Sequence, residues 1–380
     1  MANKKAPMQP DILETIRTRT SSLRNKVVSL GFDAFIDSVV KVVKQKDAYG
    51  EVHYFESTQA FGEYIVEKGQ KSFSIEMEEM TTKLGGNMPI MANAVAQMGP
   101  EVFCIGPMGR AEIHPVFKPM QKACKLYTYA DPGFTKVLEF SSGKIMMAEM
   151  TNLNNILWEF IRDSVGIDTF RDLFSRSDLV ALLNWSELDN STAIWRGVLK
   201  EVLPNAVSKN RPVGFFDLSD CSKRQSASIA EAMSLLSDFS SYWDIVLSLN
   251  LNEATILTNV LTTADSSGTD TRKMCNSIFE KLNIHTVIIH TSRLSVAIDS
   301  DGIHTQNTFF LNEPVISSGA GDNFNAGFAI GRLLDLPTQM CLVLGNATSA
   351  LYMQSAKSPS IDDLTNFLAN NLSTWYNSND

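Results

Sequence analysis

The sequence predicts an α/β fold: a mostly parallel central sheet covered by helices on both faces, with a small β-rich piece inserted in its N-terminal half. Two observations predict it. From Asp178 onward, short apolar runs alternate with helical segments, in DLVALLNW, RPVGFFDL, WDIVLSLN and HTVIIHT. Repeated strand, turn and helix units bury their apolar faces as a parallel sheet between two helical layers. Alternating, glycine-punctuated pieces such as VHYFES and KVLEFSSGKIMMAEM are confined to the first half. Because βα units resume after them, they read as an insertion rather than a separate C-terminal domain.

Taken in order, VVSLGF (27–32) is a β-branched run ending in glycine, suited to a buried strand at the sheet centre. The segment 37–74 suits exposed strands of a flap. PIMANAVAQM (89–98) is a helix of small and flexible side chains, and EVFCIGPMG is a strand leading into a glycine turn. KVLEFSSGKIMMAEM (136–150) places two apolar runs around Ser-Ser-Gly and predicts a hairpin. SVAIDSDGIHTQ predicts a second hairpin after the last parallel strand.

Composition narrows the function. The 380 residues carry 44% hydrophobic and 20% charged side chains, ordinary for a globular chain with a large core. A formal net charge of -9 argues against a surface built for nucleic-acid phosphates or anionic lipid, so a small-molecule ligand is expected. Five scattered cysteines, odd in number and without a CxxC pair, read as buried thiols of a reduced compartment. No 18-residue apolar run and no secretory h-region occur, so no membrane partner is expected and a cytoplasmic protein is.

The chemistry gathers at ISSGAGDNFNAGFAIG (316–331). Gly319, Ala320 and Gly321 run into a helix whose open N–H groups and positive dipole end form an anion cradle. Asp322 stands in that first turn, free for chemistry or serving only as a cap. The stretch is neither a dinucleotide fingerprint nor a Walker loop. Two further stretches accompany it. LGGNMPIMANAVAQMG places Gly85, Gly86 and Asn87 before a helix, as ligand donors or as a plain tight turn. LSLNLNEATILT places Asn250 and Glu253 after a strand, where the alternative is capping by Asn252 with Glu253 at the helix dipole. His285 and His290 bracket a strand at odd spacing, face opposite sides, and read as structural.

Together and in this order the three stretches resemble the ribokinase-like carbohydrate kinases, the PfkB family, over about 27–351. The resemblance implies a three-layer α/β/α sandwich with a small β-sheet lid. It divides the chain into a main domain of 1–36, 81–124 and 151–380 and a lid of 37–80 and 125–150, a lid sometimes shared across a homodimer. It implies transfer of phosphate from ATP, with magnesium, to a hydroxyl of a sugar or nucleoside. Asp322 would be the catalytic base and Gly319, Ala320 and Gly321 the anion hole. Asn250 and Glu253 would hold magnesium through water. Asp37 is the better match and Asp33 the second candidate for the aspartate that binds substrate hydroxyls, beside Gly85, Gly86 and Asn87. Their bland alternative is a turn or cap at the strand exit. Thr291, Gly319, Gly321 and Asn346 would contact the nucleotide.

The chain also departs from the family pattern. Ile316 stands where an aspartate tied to a monovalent cation is common, so potassium activation is not expected. The nucleotide loop HTSRLS lacks the usual glycine, and GPMGRAEIHPVF lacks the aspartate that often follows its turn. GGNMPIMAN, NLNE and HT are also similar to the ADP-dependent sugar kinases of the superfamily. The motifs are compatible as well with a nucleoside kinase and with a sugar-binding regulator that has lost catalysis.

Overall fold

The computed structural model describes residues 12–262 and 270–377; residues 1–11, 263–269 and 378–380, which the sequence assigns to the main domain, lie outside them. The strands are β1 (Val27–Gly31), β2 (Phe35–Lys46), β3 (Val52–Tyr54), β4 (Met77–Gly85), β5 (Glu101–Gly106), β6 (Cys124–Thr128) and β7 (Gly133–Phe140). They continue with β8 (Gly143–Glu149), β9 (Leu179–Leu182), β10 (Val213–Asp217), β11 (Asp244–Asn250), β12 (Thr286–His290), β13 (Leu294–Asp299) and β14 (Gly302–Asn307).

Nine of them form one sheet in the order β14-β13-β12-β11-β10-β9-β1-β5-β6. The run from β12 to β6 is parallel, and β13 and β14 return antiparallel as the expected hairpin. The parallel strands are almost wholly buried, which is why they read as unbroken apolar runs. One apolar core fills each face of the sheet. β1 is interior but off-centre, two strands from the β6 edge, because five strands extend beyond β9 on the other side. All five cysteines are free and buried. No helix among the described residues is long and apolar enough to cross a membrane.

The small sheet is the lid. β2 pairs antiparallel with β4 and β3 and parallel with β7, and β7 and β8 form the hairpin across Ser141–Gly143. Three details of this region differ from the sequence-based expectation. β4 runs on to Gly85, and residues 125–128 belong to β6 of the large sheet, so the strand pairing crosses the expected boundaries at both places. Residues 58–68, expected as flap strand, are a helix. Ser57 caps it by accepting from the Ala60 N–H, and Phe61 packs with Val40, Val42, Phe55, Leu138 and Phe140 in a core private to the lid. Only Phe61 of this helix is buried, too little to give a helical period.

Candidate active site

The carboxyl ends of the parallel strands carry a row of polar residues. Asp33 follows β1, Asn184 follows β9, and Asp217, Asn250 and His290 are the last residues of β10, β11 and β12. In open α/β sheets this edge is where ligands gather. The helix Ala320–Leu333 and the helix Asn87–Gln97 both begin above it.

Asp33 is completely buried and accepts from the Asn87 N–H at 2.8 Å, the Met88 N–H at 2.9 Å and Asn184 Nδ2 at 2.7 Å. Burial pushes its carboxyl up to about 6, and those hydrogen bonds limit the rise. Its work is to anchor the helix that starts at Asn87. Gly86 serves that contact: it has φ 91°, and a Cβ there would lie 2.5 Å from Asp33 Oδ2. Asp37 lies at the root of the lid on β2, opposite Lys83 of β4 and Thr135 of β7. Burial raises its pKa, with Lys83 and Lys144 acting in the other direction. A Cβ on Gly85 would collide with the Asp37 carboxyl at 2.3 Å, so Gly85 makes room for it.

At the opposite wall, Gly319 is the N-cap of its helix with φ 85°, and no side chain caps that helix. Asp322 is therefore not a cap. The Tyr352 hydroxyl donates to the Ser318 carbonyl at 2.9 Å and fixes the turn from the neighbouring helix. The Ala320 amide donates to Ser317 at 3.3 Å, and the Asp322 amide faces its own carboxylate. Gly319 and Gly321 are left as turn amides with no acceptor among the described residues. Asp322 has its pKa raised well above the carboxylate range, by burial first and then by Asp217, Asp33 and Glu253.

Asn250 and Glu253 face each other. Asn250 Oδ1 accepts the Glu253 N–H at 2.9 Å, and Glu253 Oε2 accepts the Asn250 N–H at 2.9 Å, a capping box. The cap is Asn250; Asn252 instead donates to Asp220 at 3.3 Å. Asp217 accepts from Asn87 Nδ2, Asn325 Nδ2 and the Ser219 N–H at 2.8–3.0 Å. Asp217, Asp220, Asn250, Glu253 and Asp322 line a cleft of about 190 Å³, with no lysine or arginine among its lining residues. Burial raises the pKa of Asp217, Glu253 and Asp322 alike, and mutual repulsion adds to the rise for Glu253 and Asp322. Oxygen donors without a basic partner are the donor type that a divalent cation such as Mg2+ takes through bridging water, although the carboxylates here do not converge closely enough to share an ion directly.

Two larger cavities meet at this turn. One, about 410 Å³, is lined by Asp37, Gly86, Asn87, Asn184, Glu187, Asp220, Lys223, Gly319 and Asp322, with Thr135, Met146 and Ala148 of the lid above. The other, about 560 Å³, is lined by Ala320, Gly321, His290, Thr291, Asn346 and the apolar Phe309, Phe310, Leu311 and Pro314. Asn346 Nδ2 is held by Ser295 at 2.9 Å and Asn307 at 3.3 Å, and the Thr291 hydroxyl is taken up within its own loop. Burial pushes the His290 imidazole down to about 4, and its ring packs on Phe324 with centroids 4.9 Å apart.

The structure thus brings Asp37, Gly86, Asn87, Gly319 and Asp322 around one cavity and Thr291, Ala320, Gly321 and Asn346 around the other, with Asn250 and Glu253 at the cleft between. Gly85 and Asp33 stand behind the first cavity. Asp217, Asn184, Asn325 and the Glu187–Lys223 ion pair (3.2 Å) did not emerge from sequence motifs. Asp217 and Asn184 had a signal: in GFFDL and VALLNW each ends an apolar run as Asn250 does in LSLN.

The model of the prokaryotic ketohexokinase family matches residues 9–371. A ketohexokinase of Haloferax volcanii is 27% identical over 345 residues, 90% of each chain. Among solved structures, a ribokinase of Thermotoga maritima superposes with a TM-score of 0.64 at 17% identity, covering 91% of this chain and 99% of that one. A nucleoside kinase of Methanocaldococcus jannaschii, an archaeal member of the ribokinase family, gives 0.58 at 13% identity over 91% and 98%. These two establish the ribokinase fold, a parallel sheet between helices with a small separate sheet as lid. The sandwich, its cavities and the family match together place this chain in the prokaryotic ketohexokinase family, a family of carbohydrate kinases.

Proposed function

We propose that the chain transfers the γ-phosphoryl group of ATP to a primary hydroxyl of a ketohexose, with Asp322 as the general base. One observation carries the reading: the Gly319–Asp322 turn is the shared wall of two cavities. It presents Asp322 to the polar one and the Gly321 amide to the one with apolar walls. An acceptor hydroxyl on one side and a phosphate on the other would meet in line across the turn.

The polar cavity suits a hydroxyl-rich ligand. Asp37, Asn87, Asn184 and the Glu187–Lys223 pair offer donors and acceptors, and Met146 and Ala148 cover them from the lid. The family match and the ketohexokinase relative favour a ketohexose over a nucleoside, whose base would need an apolar slot there. The second cavity supplies such a slot for adenine along Phe309, Phe310 and Leu311, with Asn346 and Thr291 as braced walls.

In the reaction the hydroxyl oxygen attacks the γ-phosphorus while the bond to the β,γ-bridging oxygen breaks and ADP leaves. Asp322 takes the hydroxyl proton, and burial beside other carboxylates raises its proton affinity. The Gly319 and Gly321 amides and the helix dipole stabilise charge on the transferred group. Asn250, Glu253 and Asp217 would hold Mg2+, which when bound neutralises phosphate charge. Lid strands β2, β7 and β8 exclude water over the acceptor.

The test is ADP release with a panel of ketohexoses, aldoses and nucleosides, each with ATP or with ADP as donor. ATP and a ketohexose are expected to give the highest kcat/KM. Turnover only with ADP as donor, or only with nucleosides, would refute the proposal.

A further inference from the structure

Three residues line both the larger donor cavity and the narrow carboxylate cleft: Asn250, His290 and Gly321. Resting on the kinase reading above, this junction is where the phosphate chain of the nucleotide must pass from base to acceptor. Asn250 spends its side chain in the capping box with Glu253. Gly321 has only its amide to offer. His290, at the carboxyl end of β12 and in register beside Asn250, has ring nitrogens with no hydrogen-bond partner among the described residues.

The ring is locked in place. One face packs on Phe324, 4.9 Å between centroids at 35°, and its edge stands against the turn. A Cβ built on Gly321 would lie 3.3 Å from His290 Cε1 and 3.9 Å from Nε2. The Nε2 edge and the Gly321 amide therefore border the same small space. Apolar packing alone would be served by an aliphatic side chain, like those of Ile288 and Ile289 just before it on the strand. A polar, unpartnered ring aimed at an anion cradle calls for a ligand atom.

We infer that His290 is a nucleotide-contacting residue, donating its Nε2–H to an oxygen of the polyphosphate chain that the Gly321 amide also holds. This assigns His290 to the phosphates and leaves the base to the apolar wall. Hydrogen bonds to charged oxygens in a shielded site are the strong kind, so losing one costs about tenfold or more in affinity.

The test uses inorganic tripolyphosphate and adenosine as separate probes at fixed Mg2+, by calorimetry on the whole chain and on His290→Phe, which keeps the ring against Phe324. The expected result is a roughly tenfold or greater loss of tripolyphosphate affinity with adenosine affinity within about twofold. Should His290→Phe not fold, His290→Asn, whose amide is too short to reach, is expected to show the same loss. A folded variant that binds tripolyphosphate as the parent does, or that loses adenosine instead, overturns the inference alone. A parent chain that binds neither tripolyphosphate nor ATP overturns the kinase reading and this inference with it.

Discussion

The floor and the cover of the acceptor cavity are built differently. In the floor, Asp33 has three donors and Asp217 three more, two of them reaching across from different helices. In the cover, the ion pair Lys46–Glu76 is exposed, and Met146 and Met147 keep 52% and 59% of their surface. Buried polar groups that brace one another hold atoms to a fraction of an ångström, while exposed ion pairs contribute little to fixed geometry. The proposed chemistry thus sits where the geometry is over-determined, and the lid above it is the less braced of the two.

Breaking the floor should therefore have the largest effect. Asp33→Ala leaves three buried donors without an acceptor, and stability should fall by at least about 3 kcal/mol, read from denaturant unfolding. A loss under about 1 kcal/mol would mean that water reaches this site freely.

Next in size is the response to pH and metal. The folded state raises the pKa of Asp33, Asp217, Glu253 and Asp322, so it binds their protons more tightly than the unfolded chain does. Their contribution to stability is complete below the ordinary carboxylate pKa and is lost as pH rises, for Asp33 through about 6. Mg2+ should offset that loss. It is expected to raise the Tm by several degrees at pH 8 and by much less at pH 5.5, where protons compete; equal shifts at both pH values would contradict the assignment of the cleft.

The lid should show smaller effects. Met146→Ala removes apolar cover over the acceptor and should raise the KM for the sugar about three- to tenfold with the Tm within a few degrees, because Met146 packs in none of the three cores. A larger change in kcat than in KM would place the lid in the chemistry. Smallest is the cation effect. With Ile316 where a carboxylate is common in the family, activity should change less than about twofold when sodium replaces potassium at constant ionic strength.

Much of this was legible in the sequence, for physical reasons. β9 to β12 are buried on both faces and so read as apolar runs, and the turn before Asp322 announces itself because glycine there meets a backbone need, φ 85° at Gly319. The helix at 58–68 was hidden because one buried residue cannot set a period. The pairing of Asn184 with Asp33 and of Asn325 with Asp217 was hidden for another reason: these partners lie 151 and 108 positions apart, and no local spacing records such contacts. The capping box shows the limit of motif reading from the other side. N-x-x-E fits both a metal site and a helix start, and here one pair of side chains forms the cap and borders the carboxylate cleft.

Whether Asp322 accepts the proton of the attacking hydroxyl is tested most directly by Asp322→Asn. Asparagine keeps the size and hydrogen bonding of the side chain, and since Gly319 rather than Asp322 caps the helix, the Tm should stay within a few degrees. With ATP and the best ketohexose, kcat is expected to fall at least about 100-fold, roughly 2.7 kcal/mol of transition-state stabilisation, while ATP affinity is retained or improved. A folded Asp322→Asn variant with kcat within tenfold of the parent would contradict the assignment of Asp322 as the base.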